Sequence, residues 1–162
     1  MPSSLLGCGE IEGWIKHRTV PFHFGHLALM DLKPKAKEVM NSIPNYLMYM
    51  KEHTAGTPAF SVLDCGKVLL SFGFYPLWPG VCEGWMIPSN HIDRKAVALV
   101  RGARTVFNHI GSAMQLRRLQ FMVSSSNLQA IRFAEVLYFE REATLVKYGP
   151  DGSDYYIYTR FY

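Results

Sequence analysis

Residues 81–124 constrain the fold of this chain more than any other stretch. VCEGWMIP (81–88) is rich in strand formers. After Asp93 the apolar residues Ala96, Val100, Ala103, Phe107, Ile110 and Met114 recur at helical spacing, and LRRLQFMVS (116–124) is strand-like again. A strand, a long helix and a second strand make a β-α-β crossover, which sets the two strands parallel and side by side. Asp93 is expected to cap the helix, and Gly84 is expected to mark a bulge in the first strand.

The remaining segments add to both sides of this unit. PFHFGHLALM (21–30) alternates as a first strand. DLKPKAKEVMNSI (31–43) and NYLMYMKEHTAG (45–56) read as short helices divided by Pro44. PAFSVLD and KVLLSFGFY flank Cys65 and Gly66 as a hairpin, and PLWPG (76–80) breaks the chain. Residues 127–139 form a helix, and EREATLVKY (140–148) and YYIYTRFY (155–162) form two closing strands around GPDGSD. Helices and strands interleaved in this way predict a mixed α/β (α+β) architecture, a central mixed sheet with helices on both faces. A length of 162 residues suits one domain, placed at residues 22–162, with residues 1–21 as an N-terminal arm broken by Gly7, Gly9 and Gly13.

A net charge of +4 favours polyanionic neighbours, and Arg94, Arg101 and Arg104 fall within about one third of the long helix's circumference, with Arg117 and Arg118 just beyond it. DNA contact is one expectation from this, although no recognition motif accompanies the charge. Cys8, Cys65 and Cys82 are too far apart in sequence to suggest a zinc site or a disulfide framework, and a reducing compartment fits them. No apolar run approaches the length of a membrane span. His17, His23, His26, His53, His91 and His109 are scattered; His23 and His26, three apart in an expected strand, point to opposite faces, so no metal site is expected. Hydrolase triads, phosphate-binding loops and dinucleotide fingerprints are absent.

NLQAIRFAEVLYF (127–139) carries a more specific signal. Asn127, Ala130, Phe133 and Phe139 match a helix that in the GNAT superfamily of N-acyltransferases runs Asn, two residues, Ala, two residues, Leu or Phe, Tyr, three residues, Gly-Phe. Together with the order of elements, this makes residues 22–162 resemble that superfamily. The resemblance implies that the parallel strands splay between GWMIP (84–88) and QFMVS (120–124), and that an acyl-coenzyme A enters the gap as a pseudo-strand. Its implied binding residues are Met86, Ile87, Pro88, Arg94, Lys95, Asn127 and Ala130. Glu83 is implied as the carboxylate that deprotonates an acceptor amine, and Tyr138 as the phenol nearest to replacing the family's proton donor, whose place Ala134 occupies.

The departures from the pattern are equally informative. In the superfamily a glycine-rich turn opens the long helix, so that bare backbone N–H groups cradle the diphosphate at the positive end of the helix. This chain has SNHIDRKAVALV (89–100) there, with Asp93 bringing negative charge and Arg94 and Lys95 as the only cationic compensation within it. No cofactor is therefore expected, with acetyl-coenzyme A implied only if transfer is retained.

CGKVLLSFGFYPLWPGVCEGWMIPSNHI (65–92), followed by a basic helix, is similar to a group of GNAT-like proteins encoded among podophage structural genes, some of them internal virion proteins. This implies a bacteriophage virion or assembly protein that works through protein contacts, located in the virion or in host cytoplasm during assembly. Its partners would be other phage virion proteins, with a homo-oligomer also open. Phe74, Tyr75, Trp78, Trp85 and the aromatic and arginine residues of 155–162 suit such contacts. The alternative is an active N-acetyltransferase using acetyl-coenzyme A.

Overall fold

In the computed structural model, which describes residues 18–162 and leaves aside the side chains of Arg18 and Arg94, the elements follow the expected order with local exceptions. They are β1 (Arg18–Pro21), α1 (Gly25–Leu29), α2 (Pro34–Ser42), α3 (Tyr46–Thr54), β2 (Ala59–Asp64), β3 (Lys67–Trp78), β4 (Val81–Pro88), a 3-10 turn (Asn90–Lys95), α4 (Ala96–Ala113), β5 (Arg118–Ser124), α5 (Leu128–Val136), β6 (Glu140–Leu145) and β7 (Tyr155–Phe161). The arm expected over residues 1–21 lies outside the described residues as far as residue 17; its last four residues are β1, which pairs with β2.

Seven strands form one sheet in the order β1-β2-β3-β4-β5-β7-β6. Every neighbouring pair is antiparallel except β4 and β5, which α4 joins as the parallel crossover that residues 81–124 predict. The fold is thus a mixed α/β sheet flanked by helices, as expected. On one face α4 and α5 pack over Phe72, Phe74, Leu119 and Tyr158 through Leu99, Ala103, Val106, Ile110 and Ala134. On the other, α1 to α3 cover Val68, Trp85 and Ile87 through Leu27, Met40 and Met50. Tyr158 and Arg160, two apart on β7, share the face under α4 and α5: Tyr158 is buried and donates to Glu135 of α5, and Arg160 donates to Asn108 of α4 at 2.6 Å.

Four local expectations are corrected. The first strand is not residues 21–30 but Arg18–Pro21, because imidazoles turn the following backbone: the His23 ring accepts from the Gly25 N–H at 3.1 Å, and the His26 ring accepts from the His23 N–H at 3.2 Å. That turn starts α1 and buries Leu27. Second, PLWPG does not break the chain at Pro76, since β3 continues to Trp78. Beyond Gly73 it pairs only with β4, so proline's missing N–H removes no bond to β2. Third, β6 ends at Leu145 rather than residue 148, and Lys147 adopts a positive φ of 54°. Fourth, Gly84 is not a bulge; the register of β3 and β4 shifts instead between Pro76 and Trp78.

Gly84 serves a different purpose. A Cβ there would lie 2.3 Å from the Phe121 ring of β5, so the ring occupies the space that the missing side chain leaves. Glycine is needed for this close approach and not for its backbone freedom. Gly84→Ala forces the partly buried Phe121 ring out of its place and is expected to destabilise the fold by about 1–3 kcal/mol. Urea unfolding measures it, and an unchanged midpoint would refute the contact.

Candidate functional site

β4 and β5 are paired from Val81 opposite Arg118 to Gly84 opposite Phe121, and there the parallel ladder stops. Both strands continue. β4 runs on to Pro88 bonded only to β3, and β5 to Ser124 bonded only to β7. The strands therefore splay between the segments 84–88 and 120–124, and the backbone edges they turn toward each other have no strand between them. A cavity of about 620 Å³ occupies this region.

Most of the residues singled out from sequence meet there. Glu83, Met86, Ile87, Pro88, Asn127 and Ala130 all line the cavity. Asn127 caps α5, its side-chain oxygen accepting from the Ala130 N–H at 3.1 Å. Glu83 accepts from the Gln120 amide at 3.1 Å, and Gln120 is oriented in turn by Arg118, whose Nε donates to its oxygen at 2.9 Å. Arg118 also grips Glu142 with two bonds of 3.0 and 2.7 Å, and Thr159 donates to the same carboxylate. The Arg118 guanidinium, then Thr159, hold the Glu142 carboxyl below its ordinary range. A continuous polar chain thus runs over four strands, from Glu83 on β4 through β5 and β7 to Glu142 on the edge strand β6.

Other residues are not brought to this site. Lys95 is turned away to Asp64, at 2.7 Å, and does not line the cavity. The side chain of Arg94 lies outside the described residues. Tyr138 is 66% exposed and does not line the cavity. It ends α5 with a positive φ of 65°, a conformation that glycine adopts without penalty, and the Arg104 guanidinium covers its ring at 4.9 Å. Arg104 also donates to the Val136 carbonyl at 3.0 Å. The basic set read from sequence is therefore partly engaged, Arg104 by the end of α5 and Arg118 by Glu142.

The segment that would have to hold a diphosphate is occupied by its own bonds. The N–H of Ser89 donates to Leu69, that of Asn90 to Asp31, and that of Ile92 to Ser89. The N–H of His91 is taken by the Ser89 hydroxyl, which caps the 3-10 turn in the role expected of Asp93. Asp93 instead reaches across the splay: Gln129 on α5 donates to its carboxylate at 2.8 Å, and Lys33 donates both to that carboxylate and, at 2.6 Å, to the Gln129 oxygen. Lys33 holds the Asp93 carboxyl below its ordinary value, so the charge pair stands at neutral pH and is lost only as the pH falls through that lowered value. Residues 89–93 do not fit a diphosphate as they stand, because the N–H groups of Ser89, Asn90, His91 and Ile92 are already bonded and the Asp93 carboxylate bridges the opening. Deeper in the gap, the separated strand edges fit an extended amide-bearing chain.

Lys33 and Gln129 carry no motif and are found only through the fold. Tyr46, Tyr49, Tyr75 and Tyr148, which also line the cavity with Tyr155, come from separate elements in the same way. Among the described residues no group of three or more His, Cys, Asp or Glu side chains is arranged to hold a metal, and no helix is long and apolar enough to cross a membrane.

No family model matches the chain, and no curated protein matches it in sequence. Solved structures do match in fold. An acetyltransferase of the GNAT family from Bacillus anthracis is similar over 90% of this chain and 95% of its own, at 18% identity and a TM-score of 0.68. Ard1 from Thermoplasma volcanium matches over 91% and 98% at 15% identity and a TM-score of 0.73. The ribosomal-protein-S5-alanine acetyltransferase from Vibrio fischeri matches over 90% and 93% at 13% identity and a TM-score of 0.63. The chain therefore has the GNAT acetyltransferase fold, and at these identities the likeness is one of fold alone.

The Asn127 cap is expected to matter for stability whatever binds in the gap. Asn127→Ala leaves the Ala130 N–H without its acceptor and is expected to cost about 1 kcal/mol of unfolding free energy. Chemical denaturation measures it; no change would show that the cap is not formed.

Proposed function

We propose that this chain is a GNAT-fold virion or assembly protein of a bacteriophage, acting through protein contacts, with its acyl-donor route closed. The observation that carries the reading is the closure of the opening by Asp93, Gln129 and Lys33, beside residues 89–92, whose N–H groups are already bonded within the chain. A bound diphosphate needs free backbone N–H groups at a helix start and loses affinity beside a carboxylate. The phage assignment is supported by the likeness of residues 65–92 to GNAT-like proteins of podophage structural gene clusters. Contact surface is available: Trp78 and Phe161 are 59% and 67% exposed, and Arg118 and Arg160 sit over the rings of Phe161 and Tyr162. Exposed aromatics and arginines of this kind concentrate binding energy in protein interfaces.

A second reading is an N-acetyltransferase using acetyl-coenzyme A, favoured by the open splay and by Glu83 at the cavity wall. In that case Glu83 is placed to take a proton from an acceptor amine. Isothermal titration of the full chain with coenzyme A separates the two. The first reading predicts no saturable heat, together with recovery of the chain among the proteins of purified phage particles or their assembly intermediates; micromolar binding would overturn it in favour of the enzyme.

A further inference from the structure

Two imidazoles hold the turn between β1 and α1 by the same kind of bond. The His23 Nδ1 accepts from the Gly25 N–H at 3.1 Å, and the His26 Nδ1 accepts from the His23 N–H at 3.2 Å. A ring nitrogen accepts only while it carries no proton, so each ring is engaged here through a bare Nδ1. His26 reaches further into the fold. Its Nδ1 also lies 2.9 Å from the Ser61 hydroxyl of β2, which lies 2.8 Å from the Ser71 hydroxyl of β3, and Ser71 meets the Met30 sulfur at 3.7 Å. Ser61 and Ser71 are fully buried, so their hydroxyl hydrogens find partners within this chain of groups.

The chain of groups has two complete arrangements. With a bare His26 Nδ1, Ser71 donates to Ser61, Ser61 donates to the ring, and the His23 N–H shares the same nitrogen. With His26 protonated, each bond reverses: Nδ1–H donates to Ser61, Ser61 to Ser71, and Ser71 to the Met30 sulfur. Both buried hydroxyls stay bonded in either state. The His23 N–H alone loses its acceptor.

The surroundings oppose the charged ring. Burial first, then the charge of His23, whose ring centroid is 6.1 Å away, hold the His26 imidazole below its ordinary value. The groups packed on His26 are the Phe22 ring, the two hydroxyls of β2 and β3, and the Met30 thioether beyond them. From α3, Lys51 adds a positive charge over the Phe24 ring, which lies against His23 at 4.4 Å. Among the described residues no Asp or Glu forms a salt bridge with either imidazole.

We propose that His26 is an acid-operated latch on α1: its protonation reverses the serine chain, frees the His23 N–H and loosens the turn that seats Leu27, a buried residue that lines the cavity. The latch is fully closed above the ordinary histidine value of about 6.5 and opens as the pH falls below it, through the lowered value of His26. It acts whatever binds in the gap, so its test is independent of the function proposed above.

NMR of the isotope-labelled full chain is the test. Near neutral pH the His26 ring is expected to carry its hydrogen on Nε2, and to titrate below the ordinary histidine value. Across that titration the hydrogen-exchange protection of the Leu27 amide, which donates to Phe24 within the turn, is expected to fall by about tenfold, with protection in β2 and β3 unchanged. Ser61→Ala removes the acceptor of the charged ring and is expected to lower the midpoint further, which loss of a space-filling hydroxyl alone would not do. His26→Asn keeps a side-chain acceptor that does not titrate, and is expected to keep the Leu27 protection across the same range. Thermal unfolding confirms that each variant folds. Hydrogen on Nδ1 near neutral pH, a midpoint at or above the ordinary value, constant Leu27 protection in the unmutated chain, a midpoint that does not fall with Ser61→Ala, or the same loss of protection in a folded His26→Asn protein would overturn the proposal.

Discussion

The contact between Gly84 and the Phe121 ring decides where the sheet stops being a sheet. Below it β4 and β5 share a parallel ladder; above it they separate, each kept in place by its outer neighbour. A glycine is required because the ring lies where a side chain would begin. The ring cannot retreat, since Phe107 and Phe139 pack edge-on against it at 5.6 and 5.1 Å. Close packing of this kind transmits a local shape over a distance, and here it converts one missing methyl group into a gap between two strands.

What crosses that gap distinguishes this chain from the chemistry its fold suggests. Asp93 and Gln129 are exposed to screening, although the Lys33 side chain is only 15% exposed, and bonds to an exposed carboxylate contribute about 0–1 kcal/mol each. They do not lock the fold. Their effect is one of occupancy: a carboxylate sits at the opening, and the turn behind it has already committed its N–H groups to Leu69, Asp31 and Ser89. The polar chain from Glu83 through Gln120 and Arg118 to Glu142 is built differently, as consecutive hydrogen bonds along one sheet face, and the Gln120 amide holds the Glu83 carboxylate without neutralising it. The molecule thus pairs a closed side, where an anion would have to enter, with an aromatic side that carries an unneutralised negative charge.

Much of the fold is legible in the sequence because periodicity reports burial directly. The helical spacing of Ala103, Phe107 and Ile110, and the alternation of Tyr156, Tyr158 and Arg160 against Tyr155, Ile157 and Thr159, describe surfaces that the sheet and helices do bury. The splay between residues 84–88 and 120–124, with Asn127, Ala130 and residues 86–88 beside it, is what the resemblance carried by the helix that begins at Asn127 implies, and the cavity is lined by these residues. Three things are not legible. PFHFGHLALM alternates like a strand, but two imidazoles bond its backbone and turn it into α1. Asp93 has the form of a helix cap, yet its partners lie 60 and 36 residues away and draw it across the gap. The tyrosine wall has no sequence pattern at all, because its members meet only when α3, β3, the β6–β7 connection and β7 are assembled around the cavity. Tyr138, close to the family's proton-donor position in sequence, is turned outward under Arg104 because its left-handed backbone points it away from the gap.

A crystal structure of the full chain grown in excess coenzyme A tests the closed opening most directly. The predicted result is a bond between Asp93 and Gln129 that persists, with the N–H groups of His91 and Ile92 still turned to Ser89 and no diphosphate ordered on them. A diphosphate bound to those N–H groups, with Asp93 displaced and Lys33 moved onto the phosphates, would contradict it.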